Sequence, residues 1–183
     1  AQQRLVAVLL NDKRGDAAIA IAKDVQRQRK DSSIGYILEA ESLLSIGKRP
    51  EAVKVYEEAY RREKSAASIL RLHNAHLAAN QPQEAAKLAA DWIKANPKDL
   101  TVRTYLAERS LAEQKYDQAV QQYRQMQEIA PKNPMVLNNL AWALGKLNDK
   151  SAVQIAQQAV ALAPNSPVVL DTLGMLQFEN GEK

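Results

Sequence analysis

The stretch YDQAVQQYRQMQEIAPKNPMVLNNLAW, residues 116–142, carries two helical signals joined by a proline turn. In its first half Ala119, Tyr123 and Met126 fall four and then three residues apart, which places them on one face of a helix. Pro131 has no amide hydrogen to donate and pushes Ala130 out of the α region, so that helix ends there. A second helix begins within a few residues, with Leu140 and Ala141 near its centre.

The same arrangement returns along the whole chain. Ala18, Ala52, Ala85, Ala119 and Ala152 are separated by 34, 33, 34 and 33 residues. Four residues beyond each stands Ala22, Tyr56, Ala89, Tyr123 or Ala156, and three further on Val25, Ala59, Trp92, Met126 or Ala159. Prolines close three of these helices, at Pro97, Pro131 and Pro164. The following helices repeat Leu38, Leu72, Leu106, Leu140 and Leu173, with His73, Ala107, Ala141 and Gly174 next to the last four. In the first of them the register places Glu39 and Ala40 at those positions instead. A fixed period of this length means stacked supersecondary units.

The composition agrees with helices. Of 183 residues 46% are hydrophobic but only 5% aromatic, with six glycines, seven prolines and no run of alternating β-branched residues. The absence of cysteine removes disulfides and thiolate chemistry and leaves the compartment open. No apolar run is long enough to span a membrane. The net charge of +4 is slight. Its densest basic cluster, Arg61, Arg62 and Lys64, falls at a helix C-terminus, where cations suit the dipole, so nucleic acid is not an expected partner. Arg27, Arg29 and Lys30 take the same place one repeat earlier. The chain begins at Ala1 and stops within a repeat, and is expected to be part of a longer protein.

This pattern resembles the tetratricopeptide repeat, and the resemblance covers the whole chain. It implies an all-α solenoid of antiparallel helix hairpins in a right-handed superhelix, about eleven helices in one array. The expected units are 1–32, 33–65, 66–99, 100–133 and 134–166, followed by a lone first helix at 167–180. Departures are Lys30 and Lys64 at the proline position, a turn one residue short near Asn148, Asp149 and Lys150, and His73 at a small-residue position. The phrases Leu137-Asn138-Asn139-Leu140-Ala141-Trp142 and Leu170-Asp171-Thr172-Leu173-Gly174 are similar to the C-terminal repeats of certain bacterial envelope proteins. Among these are the tetratricopeptide proteins of exopolysaccharide-export and PEP-CTERM systems, which points toward the bacterial envelope or periplasm.

The resemblance also implies where a partner sits. First helices line the concave surface, and reading their groove positions yields Ile37, Glu41, Leu70, Asn74, Thr104, Glu108, Asn138, Trp142, Asp171 and Met175. Trp142 is the expected exposed anchor, whereas Trp92, Tyr56 and Tyr123 are expected in the core. The basic residues with which some family members clamp acidic C-termini are missing; Ile37, Glu41, Thr104 and Glu108 stand in their places. A neutral to mildly basic protein or peptide is the expected partner. Val168 through Phe178 form an apolar end without its polar cap, which invites dimers through that helix.

Nothing points to catalysis or a cofactor. His73 and His76 share a helix face, but both fall at packing positions, and no carboxylate lies one turn further along that helix to complete a metal site. Glu57 and Glu58 are adjacent on a helix and point apart. No phosphate-binding glycine loop or nucleophile elbow occurs. The expected function is therefore a non-catalytic protein-interaction scaffold, with an export or envelope complex as its setting. The alternative is an accessory domain of a larger enzyme such as a glycosyltransferase.

Overall fold

The computed structural model describes residues 2–181, and among them there are eleven α-helices and no strand. The chain divides into two compact units, one ending at Asn96 and the other beginning at Pro97.

The first unit holds α1 (Gln2–Asn11), α2 (Gly15–Gln28), α3 (Ile34–Ser45), α4 (Arg49–Arg62), α5 (Ala66–Ala78) and α6 (Pro82–Ala95). Each helix packs on the next, and α1 also touches α3. Val6, Leu9, Ala18, Ala22, Val25 and Leu38 form one cluster; Ala40, Val53, Tyr56, Leu72 and Ala75 form another. The helices approach closely where side chains are small. A Cβ on Gly35 would lie only 2.7 Å from the backbone nitrogen of Gln26, so α2 and α3 meet at that glycine.

The second unit holds α7 (Leu100–Ala112), α8 (Tyr116–Ile129), α9 (Pro134–Lys146), α10 (Ser151–Leu162) and α11 (Pro167–Glu179). Here α8 packs on α7 and α9, α9 pairs with α10, and α11 lies against both α9 and α10. Ala107, Ala119, Tyr123, Met126, Leu140, Ala141 and Leu144 anchor its main cluster.

The five periodic alanines, Ala18, Ala52, Ala85, Ala119 and Ala152, are each at most 1% exposed. They sit at the hairpin crossings because a methyl group lets two helix backbones approach. Ala40, at 0% exposure, takes the small-residue position of α3. Glu39 takes the leucine position beside it and accepts a hydrogen bond from Gln26 Nε2 at 2.6 Å, so a polar pair replaces an apolar contact. One core expectation fails. Trp92 is half-buried, its ring 6.4 Å from that of Tyr60, whereas Tyr56 and Tyr123 are buried as expected. Leu106, the counterpart of the buried Leu72 and Leu140, is also only half-buried.

Helix ends follow the same period. The residue preceding each helix-closing proline, Asn96, Ala130 or Ala163, leaves the helix with φ between −128° and −141°. Arg29 and Glu63 adopt φ of −135° and −139° with no proline behind them, so stacking alone also stops a helix here. The first helices end differently. Lys13, Gly47, Asn80, Gln114, Asn148 and Gly181 all have positive φ. After α1, α3, α5, α7 and α9 the next amide bonds five residues back, as in Lys115 N to Ser110 O at 2.8 Å, which is the Schellman closure.

A left-handed conformation strains any residue with a Cβ. Exposed Gln114 holds φ 57° in such a turn. Gln114→Gly is therefore expected to stabilise the second unit by about 0.5–1 kcal/mol, the left-handed relief less the entropy glycine adds to the unfolded chain. A urea midpoint that moves down instead of up would contradict this account of the turn.

Candidate functional site

In the first unit the expected groove residues of α3 border an open cleft, whereas Leu70 and Asn74 of α5 are not among its lining residues. Ile37 and Glu41 line a space of about 510 Å³ together with Ile34, Leu38, Glu63 and Arg71, and Gln3 and Ser33 complete the lining. The period puts Ile34, Ile37 and Glu41 on one side of α3, and apolar walls beside a carboxylate follow from that spacing. Among the described residues the Glu41 carboxylate has one charged partner, the Nε of Arg71 at 4.0 Å. Burial raises its pKa from the ordinary value and Arg71 pulls in the opposite direction. Nearby the Tyr56 phenol is also pushed up, first by burial and then by the Glu41 charge. Leu70 is half-buried and Asn74 exposed on α5.

In the second unit Thr104, Glu108, Asn138, Trp142, Asp171 and Met175 come from α7, α9 and α11. Thr104 Oγ1 donates to Met126 Sδ at 3.5 Å, and Glu108 is exposed. Asn138 is only 4% exposed. Its Nδ2 donates to Asn139 Oδ1 at 3.2 Å, while its Oδ1 is buried without a hydrogen-bond partner among the described residues. Asn139 in turn donates to the Tyr123 hydroxyl at 3.4 Å. That phenol is raised to about 12, chiefly by burial, with the hydrogen bond from Asn139 opposing and the Glu108 charge adding to the rise.

Trp142 is half-buried, in contrast to the exposed anchor read from the period. The edge of its ring system meets Tyr116 at 6.2 Å and 68°. Lys146, one turn along α9, holds its ammonium 5.2 Å from the ring centroid and 3.9 Å from Glu179 Oε1. Asp171 is exposed, and Met175 is half-buried against the main cluster. Val168, Leu170 and Phe178 of α11 are exposed, Phe178 at 82%.

Two residues that shape these faces escape a reading of groove positions. Arg71 and Lys146 stand next to or one turn beyond those positions, and their long side chains reach Glu41 and Trp142. The basic cluster is also more than a solvated end. Arg62 pairs with Glu58 at 2.8 Å, donates to the Tyr36 hydroxyl at 2.8 Å and stacks 3.9 Å from the Tyr36 ring centroid, which ties α4 to α3. Both histidines are buried, and His76 Nδ1 lies 2.8 Å from Gln81 Oε1. Among the described residues no group of three or more metal-binding side chains comes together, and no helix is long and apolar enough to cross a membrane.

The family model of the tetratricopeptide repeat matches residues 70–134. Solved structures of the same architecture match nearly the whole chain. The fold is that of a tetratricopeptide-repeat array. YrrB, described as a TPR protein with an unusual peptide-binding site, shares 16% identity at a TM-score of 0.56, covering 92% of this chain and 88% of its own. MamA from MSR-1 shares 25% identity at a TM-score of 0.54, with 82% and 87% covered. Yeast Tom70 reaches a TM-score of 0.66 at 16% identity; 90% of this array covers 36% of that chain. A search of curated proteins gives no match. In tetratricopeptide terms Ala40, His73, Ala107, Ala141 and Gly174 share one position. Four are buried and the fifth is exposed, for a Cβ added at Gly174 would meet nothing within 4 Å.

Proposed function

We propose that the chain is a non-catalytic scaffold that holds a neutral to mildly basic peptide or helix of a protein partner on the first-helix faces of its units. The observation that carries this reading is the Glu41 cleft. Isoleucines on α3 offer desolvated apolar contact, and beside them stands a carboxylate whose one ion pair is stretched to 4.0 Å. Ile34, Ile37 and Leu38 share the lining with Gln3, Ser33, Glu41, Glu63 and Arg71, and such a mixed surface suits a binding site, where the apolar part supplies affinity and the polar part fixes register. The peptide-binding site named for YrrB supports the same use of the fold.

The test is a peptide array probed with the chain and with Glu41→Lys. Neutral to basic segments are expected to bind, and the variant to weaken them roughly tenfold, the size of one charge-assisted hydrogen bond. Selection of acidic segments would overturn the reading. Stability is a separate matter. Because burial raises the Glu41 pKa, the folded state holds that proton more tightly than the unfolded chain. Ionisation of Glu41 thus opposes folding as pH rises through its raised pKa. Glu41→Gln is expected to keep or slightly raise the urea midpoint at pH 7 while losing binding.

The setting we propose is assembly of a bacterial exopolysaccharide-export or envelope complex. It draws on the phrases around Asn138 and Asp171 and would be tested by co-purification from the source cell. Self-association through α11 is proposed on the exposure of Val168, Leu170 and Phe178. Light scattering of Phe178→Asp against the parent chain would test it.

A further inference from the structure

A second cleft of the first unit lies between α4 and α6, floored by Leu72 and His76 of α5, and shares no lining residue with the Glu41 cleft. Its two lobes, of about 360 and 450 Å³, meet at Tyr60, Leu88 and Asp91. The rings of Tyr60 and Trp92 stand 6.4 Å apart at 58° along it.

Three carboxylates, Glu57, Glu84 and Asp91, and three cations, Arg61, Lys87 and Lys64, surround this cleft. Glu57, Glu84 and Asp91 are exposed at its rim, and none of them makes an ion pair or hydrogen bond among the described residues. Burial, and then the Asp91 charge, raises the Tyr60 phenol. Of the nearby cations, Arg61 is held by Glu58 at 2.5 Å, leaving Lys87 and Lys64 against three carboxylates. The floor adds a fourth acceptor. His76 is 7% exposed, and its Nδ1 lies 2.8 Å from Gln81 Oε1. A carboxamide oxygen only accepts, so Nδ1 is the donor of this bond, and the neutral tautomer that it selects keeps its lone pair on Nε2. No hydrogen bond to Nε2 is made among the described residues.

We propose that the cleft between α4 and α6 is a second binding site, built for the guanidinium group of an arginine side chain on a protein partner. Arginine brings five donors and no acceptor, which matches carboxylates at the rim and an imidazole lone pair at the floor. Its planar head stacks on aromatic rings, here Tyr60 and Trp92, and its methylene stem suits the apolar surface of Leu72 and Leu88. A lysine ammonium would meet the charge without the stacking. An anion would face three carboxylates.

The probe is N-acetyl-arginine amide, followed by NMR on the intact chain, whose two tryptophans report this cleft and the face of α9 separately. The expected result is a saturable shift of the Trp92 indole while the Trp142 indole stays fixed. Asp91→Asn or Glu57→Gln, both surface changes, is expected to weaken the shift about tenfold. The lysine counterpart should bind more weakly and the uncharged citrulline counterpart should not bind. Glu41→Lys should leave the Trp92 response intact, which separates this site from the first-helix face. Absence of a saturable Trp92 shift, equal binding by the citrulline counterpart, or a response at Trp142 alone would overturn the proposal.

Discussion

Ala119→Leu is expected to destabilise the chain by roughly 1–3 kcal/mol, read as a lowered urea midpoint with an unchanged slope. Ala119 is 0% exposed at the crossing of α7 and α8, in one cluster with Ala107, Tyr123 and Met126. Ala107 is also at 0%, and Tyr123 and Met126 are at 1% and 0%. A leucine therefore adds three carbons where no neighbour has free surface to retreat into. Either the hairpin opens or Tyr123 and Met126 leave their rotamers, and both cost energy of that order. Burying extra methylenes would recover about 0.8 kcal/mol each only if the backbone could move apart without losing other contacts. A tolerated leucine would show that Ala119 does not set the helix separation.

The alanine period, read with the leucines of the alternate helices, is enough to place the eleven helices of the described residues, because close crossings demand small residues and a hairpin unit of fixed length demands them at fixed spacing. The helix ends are less legible. Gln114 and Lys13 occupy left-handed positions where composition would favour glycine, so the turn is imposed by the packed hairpin rather than by local preference. The functional faces are legible in direction only. Periodicity says which way a Cβ points, which brings Ile37 and Glu41 to one cleft. It does not say how far a neighbouring side chain reaches over it. Asn138 holds a groove position by the period, yet it is almost wholly covered, with a carbonyl oxygen left unpaired. Trp92 holds a core position and is half-buried, since the position repeats but the depth of cover over it does not.

Trp142→Ala separates binding from packing on the second unit. On the period alone Trp142 is an exposed anchor, and truncation would cost binding and almost no stability. The structure places the ring between those extremes, with one edge on Tyr116 and Lys146 over it. Full burial of a large apolar side chain is worth about 1.5–3 kcal/mol, and an aromatic pair adds about 0.5–1.5 kcal/mol. A half-buried tryptophan in one such pair is thus expected to cost about 2 kcal/mol when truncated, less than the ~3–5 kcal/mol of a core aromatic. Tyr116→Ala in the same background isolates the pair, because the double mutant should lose less than the two single changes together. We propose that a partner meets the exposed remainder of the ring together with Asp171 on α11. Its loss should weaken binding by about 2 kcal/mol, roughly thirtyfold, since tryptophan dominates interface hot spots. A stability loss of about 3 kcal/mol or more with unchanged affinity would assign Trp142 to packing alone and move the partner site of this unit away from α9.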